Sequence, residues 1–165
     1  MTTEDIKKEM IRQGTKRFAA KLIIDELTLY AGIADIAIVD MNSLLKEIEI
    51  KTDAYDLTKQ ELKKEKWFGV KSGYIPYLLE NIQKKEAVPA YFYFCVTPEL
   101  RHIAINLVED DLPFAGIYIA EQDLGVITFK SIRRAKKLHN NPISQKLLMS
   151  ITQAYYYRWI NLRIR

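Results

Sequence analysis

One cysteine, Cys95, and two histidines, His102 and His139, occur in 165 residues. A single thiol excludes an internal disulfide framework and a cysteine-rich zinc site. Cys95 lies inside the apolar run Tyr91–Val96, which points to an inert, buried thiol. The histidines are far apart and lack partners at metal-ligand spacing, so surface or core positions are expected for both. No apolar run reaches the roughly 18 residues of a membrane span. Met1 to Lys8 is polar and charged rather than signal-like, and the expectation is a soluble, cytoplasmic protein with no membrane partner. Repeats, low-complexity tracts and Gly/Ser/Pro-rich linkers are missing too. With 48% hydrophobic and 28% charged residues, this favours one domain over 1–165.

The most informative absence is of acid. From Leu124 to Arg165 there is no Asp or Glu against nine Lys and Arg, which leaves 16 basic and 21 acidic residues ahead of it. The net charge of +4 therefore conceals an acidic part and a basic carboxy-terminal region, 124–165. Such a region matches a polyanion, because each cation placed on a phosphate releases condensed counterions. DNA, RNA and anionic lipid would be served equally well, and a solvated helix face is the bland alternative.

Thr2 followed by Asp5 reads as the start of a helix, with Ile11, Thr15, Phe18 and Leu22 recurring on one face. Three β-type runs follow, Leu22–Tyr30, Ile33–Val39 and Leu44–Lys51, with turns at Ala31-Gly32 and Asp40-Met41-Asn42-Ser43, which predicts an antiparallel meander. Asp53 or Thr58 can cap a charged helix to about Trp67. Gly69 and Gly73 mark a loop, and Ile75–Lys85 reads as helical. The strand Ala90–Val96 is apolar on both faces and belongs in a central position. Pro98 opens another helix, Ala115–Ala120 and Val126–Ile132 form a strand pair around Asp123-Leu124-Gly125, and Ser144–Arg163 is a terminal helix rich in Tyr and Arg. The order α-β-β-β-α-α-β-α-β-β-α implies an α/β chain, in detail an α+β mixed sheet flanked by helices.

Side chains two apart on a strand share a face. Glu47, Glu49 and Lys51 therefore point one way and Ile48 and Ile50 the other. In the preceding strand Asp35 shares a face with Ala37 and Val39, a lone acid near the strand's start. An antiparallel hairpin sets that start beside the end of the next strand, so Asp35 is expected opposite Glu49–Lys51. Two carboxylates and a lysine suit phosphodiester hydrolysis. Asp35 and Glu49, with the backbone carbonyl of Ile50, can hold a hard cation such as Mg²⁺ or Mn²⁺. That ion would polarise the phosphoryl oxygen and activate a water. Lys51 would orient the water or stabilise charge growing on the phosphate. The alternative is a charged strand face in solvent.

The segment Ala34-Asp35-Ile36-Ala37-Ile38-Val39, followed by Lys46-Glu47-Ile48-Glu49-Ile50-Lys51-Thr52-Asp53, resembles the core of the PD-(D/E)XK nuclease superfamily. Within it the chain looks most like the MmcB-like DNA-repair proteins. Asp56-Leu57 and Lys66-Trp67 stand where that group has an Asp-Phe pair and a Lys-Trp or Lys-His pair. Tyr91–Val96 followed by Pro98-Glu99-Leu100 resembles its aromatic strand and proline-led helix. The likeness covers roughly Ile11 to Leu138. It implies a restriction-endonuclease-like core and a metal-dependent deoxyribonuclease acting on DNA in repair, recombination or mobile-element processing. It also implies an upstream glutamate completing the site, for which Glu26 is the candidate; an exposed strand acid is the other reading. The chain departs from the pattern at Ile33, where many relatives carry arginine, at Ala34 in place of proline, and at Thr52 in place of serine.

Candidate DNA contacts are Lys66 and the cations that follow a strand directly, Lys130, Arg133, Arg134, Lys136 and Lys137. Tyr155-Tyr156-Tyr157-Arg158-Trp159 could stack bases, pack on the core, or form a homodimer through the terminal helix. A nuclease-fold protein that binds DNA or a partner without cutting it is the other functional class consistent with these features.

Overall fold

The computed structural model describes residues 1–29, 32–61 and 89–163. Helix α1 spans Thr3–Arg17, and its start is a capping box: Thr2 accepts from the Asp5 amide while the Asp5 carboxylate accepts from the Thr2 amide. Two amide donors that lack intrahelical partners are thereby satisfied. The buried stripe differs from the one expected. It runs through Ile6, Met10 and Gly14 to Phe18, with Ile11 at its margin. The helix ends before Leu22, which belongs to the next strand.

Strands β1 (Ala20–Leu29), β2 (Gly32–Asp40), β3 (Leu45–Lys51), β4 (Tyr91–Val96), β5 (Gly116–Asp123) and β6 (Val126–Arg133) form one six-stranded sheet in sequence order. The first three make the antiparallel meander. Strands β3, β4 and β5 are parallel neighbours, and β6 returns antiparallel to β5. A parallel pair needs a crossover. From β4 to β5 it is a 3-10 turn, Pro98–Leu100, leading into α2, Arg101–Asp110. From β3 it begins with a π-type turn, Asp56–Gln60. Asp53 rather than Thr58 is the cap there, its carboxylate accepting from the Asp56 amide at 3.0 Å. Residues 62–88, with the expected helices to Trp67 and over Ile75–Lys85 and the loop at Gly69 and Gly73, lie outside the described residues. The last element is α3, Gln145–Arg163.

The mixed sheet flanked by helices agrees with the expected α+β architecture. One face is covered by α1, whose Ile6 and Met10, with Phe18 just past the helix end, pack with Ile36, Ile38, Ile48, Ile50, Cys95 and Phe129. Among the described residues the opposite face carries two apolar patches. Under α2, Phe92, Phe94, Val96, Ile117 and Ile119 meet Ala104, Leu107 and Val108. Beside α3, Ala37, Val39 and Leu45 meet Ile143, Leu147 and Leu148. Each fully buried Phe or Leu contributes roughly 1.5–3 kcal/mol relative to exposure. Strand β4 is covered on both faces, as its composition implied. Strand β3 runs between the two patches, and there the outward positions are Glu47, Glu49 and Lys51.

Candidate active site at the open end of strands β2 and β3

The β2–β3 ladder extends from Val39↔Leu45 to Ile36↔Ile48 and stops there. One step further Asp35 would face Glu49. Instead of continuing the backbone pairing, Asp35 Oδ2 accepts from the Ile50 amide at 2.8 Å. The carboxylate thus occupies the opening between the strands, where a ladder carbonyl would otherwise sit. The amide and carbonyl of one strand residue project to the same edge. The Ile50 carbonyl is therefore directed toward β2, the side that Asp35 occupies.

Glu49 and Lys51 come from the same strand end. Neither is solvated: Glu47, Glu49 and Lys51 are all buried, which overturns the reading of an exposed charged face. Lys51 Nζ lies 3.7 Å from Glu49 Oε2, 3.0 Å from Asp56 Oδ2 and 3.1 Å from Glu61 Oε2. A buried ammonium needs such partners, because removing it from water costs several kcal/mol. The turn after β3 supplies Asp56, which the Asp56-Leu57 pair marks in the sequence; Glu61 carries no comparable signal.

Asp35 is not a lone acid either. Lys7 of α1 reaches across, its Nζ 3.2 Å from Asp35 Oδ1 and 3.4 Å from Glu26 Oε1. Glu26 lies opposite Asp35 in the β1–β2 register, between the pairs Asp25↔Ile36 and Leu27↔Ala34. Its backbone is in the left-handed region, with φ of 50°, which costs on the order of 1 kcal/mol for a non-glycine residue. Arg158 of α3 closes the group, its guanidinium 3.1 Å from Glu26 Oε2 and 3.7 Å from Asp25 Oδ1. Tyr155 donates to Asp25 Oδ1 at 3.3 Å.

The electrostatics follow from these contacts. Attraction to Lys7, then to Arg158, holds the Glu26 carboxyl below its usual range. Burial alone would lower the Lys7 ammonium, but Asp35 and Glu26 outweigh it and raise its pKa. Burial and the Asp25 carboxylate push the Tyr155 hydroxyl up. The Cys95 thiol is raised by burial, in keeping with an inert core residue.

Of the expected site residues, Asp35 is bonded to the Ile50 amide at the end of β3, Glu49 and Lys51 from either side of Ile50 join a cluster with Asp56 and Glu61, and Glu26 is linked to Asp35 through Lys7. Sequence reasoning missed Lys7, although it stands next to Ile6 on a helix face otherwise apolar inward, and it missed the role of Arg158. Among the described residues, no three His, Cys, Asp or Glu side chains are grouped to hold a metal ion. Asp35, Glu49 and the Ile50 carbonyl are all oxygen donors, a set that suits a hard divalent cation completed by water and phosphate.

The basic candidates divide. Lys130 pairs with Ile119, Ile119 with Val96 and Val96 with Lys51. Lys130 therefore lies on the same rung and face as Lys51, three strands or about 14 Å away. The segment after β6 turns to the other end of the sheet. The Lys136 amide donates to Phe114 O, and the Leu138 amide donates to Ala90 O. Lys137 and Lys46 both lie 5.8 Å from the centre of the Tyr91 ring, at the start of β4. Arg133 donates to Pro113 O and pairs with Glu109, and Arg134 is exposed. Lys66 lies outside the described residues. On α3, Met149, Tyr156 and Tyr157 are exposed, so those two tyrosines do not pack on the core.

Among the described residues no helix is long and apolar enough to cross a membrane. No family model matches the chain, and no curated protein matches it. Among solved structures it is similar to a protein of unknown function from Silicibacter pomeroyi, with a TM-score of 0.55 and 14% identity, over 94% of this chain and 87% of that one. At that identity the likeness establishes a shared fold and nothing about chemistry.

Proposed function

We propose that this protein is a metal-dependent deoxyribonuclease with a restriction-endonuclease-like core, acting on cytoplasmic DNA in repair, recombination or mobile-element processing. The observation that carries the reading is the bond from the Ile50 amide to Asp35, which draws an acid of one strand to the Glu49-Ile50-Lys51 end of the next. Asp35, Glu49 and the Ile50 carbonyl would hold Mg²⁺ or Mn²⁺. When bound, the ion polarises a phosphoryl oxygen and lowers the pKa of a water. Lys51, fixed by Glu49, Asp56 and Glu61, supplies positive charge from a preorganised position, where it is worth more than in water. Lys130, on the same rung and face, is a contact for a neighbouring phosphate, and the other basic residues serve duplex binding away from the site. Cleavage of single-stranded, duplex and branched DNA with each metal tests the reading, with Asp35→Asn and Lys51→Ala as controls that must abolish it.

A second reading is favoured by one observation. Lys51 is buried among three carboxylates, an arrangement that also serves structure alone. On that reading the chain binds DNA or a partner without cutting. Intact DNA under every condition, with salt-sensitive binding that survives the Lys51 change, is its signature.

A further inference from the structure

Lys7 occupies an unusual place. It projects from α1 beside Ile6, Met10 and Gly14 and is itself buried. Its ammonium spans Glu26 of β1 and Asp35 of β2 at 3.4 and 3.2 Å. Asp35 thus receives one donor on each oxygen, the Lys7 ammonium on Oδ1 and the Ile50 amide on Oδ2. Glu26, across the strand pair, is shared between Lys7 and Arg158. Two acids that face each other in the register are therefore bridged by a cation built into the chain.

We infer that Lys7 is a resident cation of the site, a positioning residue that holds Asp35 and Glu26 together and competes with the divalent ion for Asp35, so weakening its binding. The inference rests on the reading of Asp35 as a metal ligand. Its basis is Coulombic. An ammonium within 3.2 Å of a carboxylate oxygen repels a dication taken by the same carboxylate, and at an effective dielectric of about 20 this amounts to at least about tenfold in the dissociation constant. Arg158 then has a separate part: it keeps Glu26 in place from the far side, so the removal of Lys7 leaves the β1 acid anchored.

The test is Mn²⁺ binding to the full chain without DNA, read by electron paramagnetic resonance or calorimetry. Wild type is compared with Lys7→Met, Lys7→Gln, Lys7→Arg and Asp35→Asn. Lys7→Met should bind Mn²⁺ at least about tenfold more tightly than wild type. Lys7→Gln, which keeps a hydrogen-bond donor, should tighten likewise if Lys7→Met fails to fold. Lys7→Arg should resemble wild type. Equal or weaker binding in the neutral variants, with Asp35→Asn abolishing wild-type binding, overturns the role of Lys7 while leaving the metal site standing. Undiminished binding in Asp35→Asn, or none in any form, overturns the metal reading and this inference with it.

Discussion

Asp35 and Ile50 are joined by a 2.8 Å hydrogen bond from a backbone amide to a carboxylate oxygen, at the point where the β2–β3 ladder gives way. A side chain thus takes over a position that backbone pairing would fill. The consequence is local and chemical: the strands open without stranding the Ile50 amide, and the opening is lined by acid. Charge-assisted bonds of this kind contribute roughly 1.5–3 kcal/mol, enough to hold the geometry before any substrate arrives.

The Lys51 cluster predicts a large stability loss. In Lys51→Met the stem is retained and the charge removed from among Glu49, Asp56 and Glu61. Uncompensated buried charge costs about 3 kcal/mol or more, and the urea midpoint should fall accordingly. A midpoint within error of wild type would mean that the cluster is not formed in solution.

The acid limb of stability should include Glu26. Its pKa is lowered in the folded chain, first by Lys7, so its contribution is present above the ordinary carboxylate range and is lost as pH falls through the lowered value. The stability difference between wild type and Glu26→Gln should be visible at neutral pH and vanish on acidification. A difference that stays constant down to the acid transition would contradict the ion pairs with Lys7 and Arg158.

Gly116 is required by close approach. A Cβ there would lie 2.3 Å from the Tyr93 ring and 2.6 Å from the Ala135 amide nitrogen. Gly116→Ala must displace the return segment or the Tyr93–Tyr118 stack, whose centroids are 4.7 Å apart. Overpacking of this kind costs about 1–3 kcal/mol. Thermal denaturation checks it, and an unchanged midpoint would show that the segment is not seated there.

The basic residues away from the site predict binding without chemistry. Replacing Lys136 and Lys137 by alanine should weaken duplex binding and reduce the salt slope by about 0.9 for each phosphate that is no longer neutralised. Cleavage at saturating DNA should be unaffected. An unchanged slope would remove these lysines from the DNA surface.

Much of the scaffold was legible in the sequence because period-2 and period-3.6 patterns report burial directly. The meander, the central β4 and the β5–β6 pair follow from Ile33–Val39, Tyr91–Val96 and Asp123-Leu124-Gly125. That Asp35 lies beside the end of β3 was legible too, since hairpin direction fixes it, although its contact there is the Ile50 amide and the ladder itself stops at Ile36↔Ile48. What local pattern does not carry is contact between distant elements. Lys7 is 28 residues from Asp35 and Arg158 is 132 from Glu26, and only the packing of α1 and α3 brings them in. The burial of Glu47, Glu49 and Lys51 was hidden for a related reason: polar residues on one face of β3 read as solvated unless the neighbouring patches are known. The basic run was read by composition, and composition does not say that the chain after β6 turns away to the start of β4.

Cleavage of DNA by wild type and Asp35→Asn in Mn²⁺ is the most direct measurement. An asparagine keeps an oxygen for the Ile50 amide, so the variant should fold, as circular dichroism would confirm, while losing an anionic metal ligand. A metal held by Asp35 predicts cleavage by wild type and a loss of at least about 10²-fold in the variant, equivalent to roughly 2.7 kcal/mol of transition-state stabilisation. Absence of cleavage by wild type with every DNA form and metal, or equal cleavage by the two proteins, would contradict it.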